Sequence, residues 1–173
     1  MGKIAVFLAN GFEQLEALTP VDVLKRAGAT VHTISVGEQM ITSTHNVKVI
    51  ADYCINDVNL GEYDGFILPG GMPGAKNLSL NEKLVDGVKT ALQSNKLVCA
   101  ICASPAVVLA KHNLLDGYFA TCYPAPDFIK TLGDKYKKVS VCVSKNLITA
   151  NGPTSAMEFS LKICEYLGIN PNF

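Results

Sequence analysis

Three short stretches of this sequence carry residue types that could do chemistry, each where an apolar run gives way to small or charged residues. Residues 100–105 read AICASP, with Cys102 where a buried strand must stop and a proline opens a helix. A nucleophile at such a turn is held exposed, as in the G-x-S-x-G elbow of hydrolases, and the small Ala103 and Ser104 leave room for a reactant beside the sulfur. The following helix would aim free N–H groups and the positive end of its dipole at a thiolate, lowering the thiol pKa below its ordinary value of roughly 8.5. The plainer reading is a cysteine packed between two elements. Cys99 and Cys102 also match the C-x-x-C pattern of redox pairs. Cys99, however, falls inside the strand and should point into the core, whereas a disulfide needs convergent Cβ atoms.

The second stretch, LPGGMPG at 68–74, offers Gly70 and Gly71 as backbone N–H donors able to approach a ligand closely, as an oxyanion site requires. It lacks the Lys-Ser or Lys-Thr of a P-loop and does not fit G-x-G-x-x-G, and a tight structural turn is an equal reading. The third, NGFEQLEALTP at 10–20, places Glu13 and Glu16 three residues apart near the start of a helix. Glu13 reads as a charge favourably placed on the helix dipole. Glu16, flanked by Leu15, Ala17 and Leu18, reads as partly buried, and a buried carboxyl beside a thiol could act as acid or base.

The elements that must position these residues follow from periodicity. Short apolar runs alternate with amphipathic stretches throughout the chain, the pattern of βαβ units and a largely parallel sheet. Strands are expected at 3–9, 30–36, 65–68, 97–100, near 119–121, and at 139–143 and 147–149, the last two as an antiparallel pair. Helices are expected at 15–27, in a short piece after the glycine turn, and at 81–94, 104–111, 127–131 and 154–167. Residues 39–52 alternate with period two and read as a hairpin or edge excursion. The expected fold is α/β, a flavodoxin-like three-layer sandwich with a mostly parallel sheet and helices on both faces. In such sheets ligands bind at the carboxyl ends of the strands, where all three stretches fall.

Bulk properties agree with a single domain over 1–173. The 173 residues are 49% hydrophobic, and Lys plus Arg and Asp plus Glu both number 15. There is no net field to attract nucleic acid or an anionic membrane. The first apolar run ends at Ala9, too short for a signal segment or membrane span, so a cytoplasmic location is expected. The six cysteines do not suggest a disulfide framework in a chain with this much core; Cys142 and Cys164 read as small core hydrophobes. No His or Cys spacing that survives the strand assignment fits a metal site.

Taken together, AICASP, ILPGG followed by GAKNL, EQLEALTPVDVLKRAG at 13–28 and NGPTSAMEFSLKI at 151–163 resemble the motifs of the DJ-one/ThiJ/PfpI superfamily, closest to its Parkinson disease protein 7-like branch. The resemblance spans essentially the whole chain. It implies that Cys102 is a reactive nucleophile, that Glu16 is a protonated carboxyl bonded to its sulfur, and that the Gly71 and Ala103 N–H groups, beside Gly70, form an oxyanion site. It also implies that Arg26 is a basic residue near a dimer interface, and that His45 stands roughly where relatives carry an arginine at the subunit boundary. The implied activity is cofactor-independent glyoxalase or deglycase chemistry on small reactive aldehydes or glycated groups, in a homodimer with a part in oxidative-stress protection. The alternative is a non-catalytic redox sensor or chaperone whose cysteine oxidises to sulfinic acid. Two positions depart from the family pattern. TCYP at 121–124 puts Tyr123 where many relatives have histidine, and phenols, with an ordinary pKa of roughly 10, are poor bases at neutral pH. Ser104 replaces the glycine that follows the elbow, which reads as a modest steric change.

Overall fold

The structure is a computed structural model, and it describes residues 2–173. Along the chain run β1 (Lys3–Leu8), α1 (Gln14–Arg26), β2 (Thr30–Ser35), β3 (Met40–Thr42), β4 (Lys48–Ile50), β5 (Tyr53–Cys54) and β6 (Gly65–Leu68). There follow α2 (Gly74–Ser79), α3 (Glu82–Gln93), β7 (Leu97–Ile101), α4 (Pro126–Leu132), β8 (Val141–Ser144), β9 (Leu147–Ala150) and α5 (Ala156–Leu167). Seven strands form one sheet in the order β5-β2-β1-β6-β7-β9-β8, parallel except that β8 runs antiparallel to β9. β3 and β4 pair as a separate hairpin.

Both faces of the sheet are covered, which explains the near-continuous apolar runs of its central strands. Ile4, Val6 and Leu8 of β1 face a cluster with Ala17 and Leu24 of α1 and Phe159 and Ile163 of α5. Ala5 and Phe7 face the opposite cluster, with Leu78 of α2 and Leu84 and Val88 of α3. The same alternation in β7 sends Val98 and Ala100 one way and Leu97, Cys99 and Ile101 the other, as a period of two demands. The flavodoxin-like α/β architecture expected from the sequence is therefore the one observed.

Three local expectations are corrected. Residues 119–121 do not form a strand; only one bridge joins Ala120 to Tyr136. Side chains take the donors a ladder would have used, with Phe119 N–H on Ser144 Oγ and Thr121 N–H on Thr149 Oγ1. The segment expected as a helix at 104–111 is a single π-type stretch at Pro105–Ala110. Cys142 is only partly buried because β8 is a sheet edge, while Cys164 is a core residue as expected. Among the described residues no helix is long and apolar enough to cross a membrane.

Candidate active site

The strand order reverses at β1, whose neighbours β2 and β6 belong to connections running in opposite directions along the sheet. A crevice at the carboxyl ends of β1 and β6 follows from that topology. The segments leaving β1, β6 and β7 bring Glu16, the 69–71 turn and Cys102 together there. A cleft of about 510 Å³, lined by Leu60, Phe66, Lys83 and Ala91 among others, lies where β6 begins, away from these residues.

Cys102 has φ of 65°, a left-handed conformation that costs about 1–3 kcal/mol for a residue of its type. The other described non-glycine residues with positive φ are three asparagines and a lysine. The strained turn is clamped from both sides: Cys102 N–H donates to Ala150 O at 2.9 Å and Tyr123 N–H donates to Cys102 O at 2.8 Å. The ladder with β9 thus holds the backbone one residue past the end of β7, at the cysteine where the chain bends. The N–H groups of Gly71 and Ala103 are directed at the sulfur, which is partly buried.

Glu16 lies in the first turn of α1 and is fully buried. Glu13 caps that helix, its carboxylate accepting from Glu16 N–H at 3.1 Å, so its expected role at the helix terminus holds. Glu16 Oε2 accepts from Gly70 N–H at 2.7 Å. Oε1 is buried with no hydrogen-bond partner in place, and the Cys102 thiol is the side chain with which this carboxyl interacts. A buried carboxylate oxygen without a donor is costly; a proton on the carboxyl removes that charge and leaves a donor beside the Cys102 thiol.

The electrostatics agree. Burial, opposed by bonds to Cys102 and Gly70, raises the Glu16 pKa from 4.5 to about 7. The thiol departs from expectation. Burial and the neighbouring Glu16 charge push Cys102 well above the ordinary thiol range, outweighing the lowering by Gly71 and Ala103 N–H. The lowering expected from the turn into the next element is present in the Ala103 N–H, and burial outweighs it. The two groups titrate as a pair: charge on Glu16 opposes ionisation of the thiol, and a proton on Glu16 removes that opposition.

The glycines are required by contact. A Cβ at Gly70 would stand 2.6 Å from both Cys102 Cβ and Glu16 Oε2, and one at Gly71, where φ is 83°, 2.5 Å from Glu13 N. Gly70→Ala is expected to separate the thiol from the carboxyl and destabilise the fold by about 1–3 kcal/mol. Urea denaturation read beside the Cys102 alkylation rate checks this, and unchanged values for both would contradict the packing.

The remaining expected site residues are dispersed. The phenol of Tyr123 is exposed, and only its backbone is tied to the elbow. Arg26 is not a neighbour of Cys102. It lies ten residues after Glu16 on α1, about 15 Å along the axis, paired with Asp22 at 2.8 Å and over the Phe173 ring. His32 bonds Tyr63, His112 bonds Ser79, and exposed His45 stands 4.0 Å from Glu13. Cys99 is fully buried in the core, and all six cysteines are free. Among the described residues no three His, Cys, Asp or Glu side chains gather as a metal site. Sequence reasoning underrated Ser104. Its side chain is fully buried and Oγ donates to Pro69 O at 2.5 Å, a bond no local pattern announces.

Similar proteins carry this fold. The chain is 40% identical over 164 residues to Protein DJ-1 homolog B of Arabidopsis thaliana, covering 94% of this chain and 37% of that much longer relative. It is 33% identical over 155 residues to the Glutathione-independent glyoxalase DJR-1.2 of Caenorhabditis elegans, covering 90% of this chain and 82% of the relative. The solved structure of oxidized Toxoplasma gondii DJ-1 superposes with a TM-score of 0.92 at 41% identity, over 96% of this chain and 91% of that one. The model of the DJ-1/PfpI family matches residues 2–166, and with the elbow, glycine turn and buried glutamate in place this chain belongs to that family.

Proposed function

We propose that this protein converts methylglyoxal, glyoxal or their early adducts with amines and thiols to 2-hydroxy acids without a cofactor. The observation that carries the reading is the Cys102–Glu16 pair, a strained, partly exposed thiol against a buried carboxyl with a pKa of about 7. The C. elegans relative named as a glutathione-independent glyoxalase supports it.

Cys102 sulfur bonds to the aldehyde carbon of methylglyoxal as its proton passes to Glu16. Gly71 and Ala103 N–H groups, already directed at the sulfur, hold the oxyanion formed on that aldehyde carbon. Glu16 returns its proton to that oxygen, then takes a proton from the same carbon to leave an enediolate and delivers it to the neighbouring carbon, while the hydroxyl proton passes to the former ketone oxygen. The aldehyde carbon is oxidised by two electrons and the ketone carbon reduced by two, leaving a lactoyl thioester on Cys102. Water cleaves the thioester, releasing lactate and the thiol, so the net reaction adds one water. A general acid–base with a pKa near 7 suits these transfers at neutral pH.

The same pair also supports a redox reading, in which two equivalents of peroxide take the thiol to sulfinic acid with release of two waters. The oxidized state named for the Toxoplasma relative favours keeping it in view. For either role the chain would act as a homodimer. Met40 and Ile50, paired across β3 and β4, together with Val47 and Leu15, leave large apolar side chains exposed beside the site.

Incubation of purified protein with methylglyoxal, without glutathione or added metal, tests the proposal. The expected result is catalytic formation of lactate, and of glycolate from glyoxal. Loss of methylglyoxal only as adducts on lysine and arginine, with no lactate, would overturn it.

A further inference from the structure

The peptide unit joining Pro69 to Gly70 is held at both ends by groups of the site. Its N–H donates to Glu16 Oε2 at 2.7 Å, and its C=O accepts from Ser104 Oγ at 2.5 Å. Ser104 and Glu16 are both fully buried, so water does not compete for either bond. Ser104 follows Cys102 by two residues, so the elbow that carries the thiol is linked through Ser104 Oγ and the 69–70 peptide to Glu16, the carboxyl whose ionisation is coupled to that of the thiol. This link also joins the two halves of the oxyanion site, since Ala103 lies on the elbow and Gly71 on the glycine turn.

We propose that Ser104 is a positioning residue for the reactive pair: by fixing the 69–70 peptide it aims Gly70 N–H at Glu16 Oε2 and reserves Oε1 as the oxygen that shares a proton with Cys102. The physical grounds are two. A peptide followed by glycine, as this one is by Gly70, has more freedom to rotate unless its carbonyl is anchored. A carbonyl that accepts a bond also polarises its own N–H, strengthening the bond that N–H donates. Loss of the Ser104 bond weakens the Gly70 bond, which favours charged Glu16, so ionisation of the pair moves to higher pH. The groups bearing on Glu16 are Cys102 on the elbow and Glu13 at the start of α1, with His45 of the hairpin 4.0 Å beyond Glu13. α5, packed on α1, contributes Phe159, Ile163 and Cys164 to the intervening core, with no carboxylate or ammonium.

The role of Ser104 as a positioning residue rests on the pair at the centre of the proposed function, but its test does not require turnover. The rate at which iodoacetamide alkylates Cys102 is followed against pH by the mass of the Cys102 peptide, for the native protein and for Ser104→Ala, Ser104→Gly and Ser104→Thr. The lower apparent pKa of the profile is expected to rise by about 0.5–1 unit in Ser104→Ala and Ser104→Gly, and to stay in place in Ser104→Thr, which keeps the hydroxyl. Ser104→Gly serves if Ser104→Ala does not fold, because glycine stands here in the family pattern. Where lactate is formed, kcat falls in the two deletion variants with KM little changed. A profile superimposable on the native one in Ser104→Ala or Ser104→Gly, whatever the melting temperature, would overturn the proposal, as would the same shift in Ser104→Thr. Absence of lactate from the native protein would overturn the glyoxalase reading alone and leave the alkylation profiles to decide the role of Ser104.

Discussion

Glu16→Gln is expected to give a protein that is more stable than the native one above neutral pH and nearly inactive. The folded pKa of Glu16 is raised from 4.5 to about 7, so between these values the native state binds more protons than the unfolded chain. Stability contributed at this site is then intact below about pH 4.5 and lost progressively as pH rises through 7. The full loss is on the order of 3 kcal/mol at 1.36 kcal/mol per unit. Glutamine has no charge to bury. Its carbonyl accepts from Gly70 N–H as Oε2 does, and its amide donates toward the Cys102 sulfur. Denaturant unfolding at pH 5 and pH 8 checks the sign. The variant should match the native protein at the lower pH and exceed it by a few kcal/mol at the higher, with lactate formation reduced by about 10²–10⁴-fold. A variant less stable than the native protein at pH 8 would mean that Glu16 does not bury a charge.

Cys102→Ser is expected to abolish lactate formation, by on the order of 10³-fold or more, because the step that makes the covalent intermediate loses its nucleophile. Serine is smaller than cysteine and suits the same backbone clamps, Ala150 O on one side and Tyr123 N–H on the other. Unfolding free energy should therefore change by no more than about 1 kcal/mol. An alcohol transfers its proton to Glu16 far less readily than a thiol does, so the neighbouring carboxyl cannot restore the activity. The same variant separates the redox reading from the catalytic one. Mild peroxide should add two oxygens to the native protein at position 102 and none there in the variant. Undiminished lactate from Cys102→Ser would remove the basis of the proposed mechanism.

Much of this site is legible along the chain because its parts are local. AICASP announces a bend at Cys102 through small residues and a proline, and the bend is observed as a left-handed φ of 65°. Glu16 among Leu15, Ala17 and Leu18 reads as partly buried, and it is fully buried. Gly70 and Gly71 read as donors or as a tight turn, and the structure makes them both: Gly70 N–H binds Glu16 while φ at Gly71 is 83°. The failures are equally physical. Periodicity extends a helix from Ser104 to Lys111, yet the backbone there takes a π-type course, and burial beside Glu16 outweighs the donors expected to acidify the thiol. Residues 119–121 have strand composition, but their donors are taken by Ser144 and Thr149, over twenty residues away.

The sequence by itself determined the layers, the strand-to-helix turns and the residue types at them, because apolar periodicity and turn chemistry are set by neighbours a few positions apart. Only the tertiary structure decided the protonation chemistry. Whether Cys102 is an acidic or a reluctant thiol depends on Glu16, 86 positions earlier, and on how completely both are withdrawn from water. Ser104 is the clearest instance. Its hydroxyl reads as a small steric change until the fold brings the Pro69 carbonyl, 35 residues away, within 2.5 Å. Desolvation and long-range hydrogen bonds have no local signature, since they arise only when distant segments exclude water together.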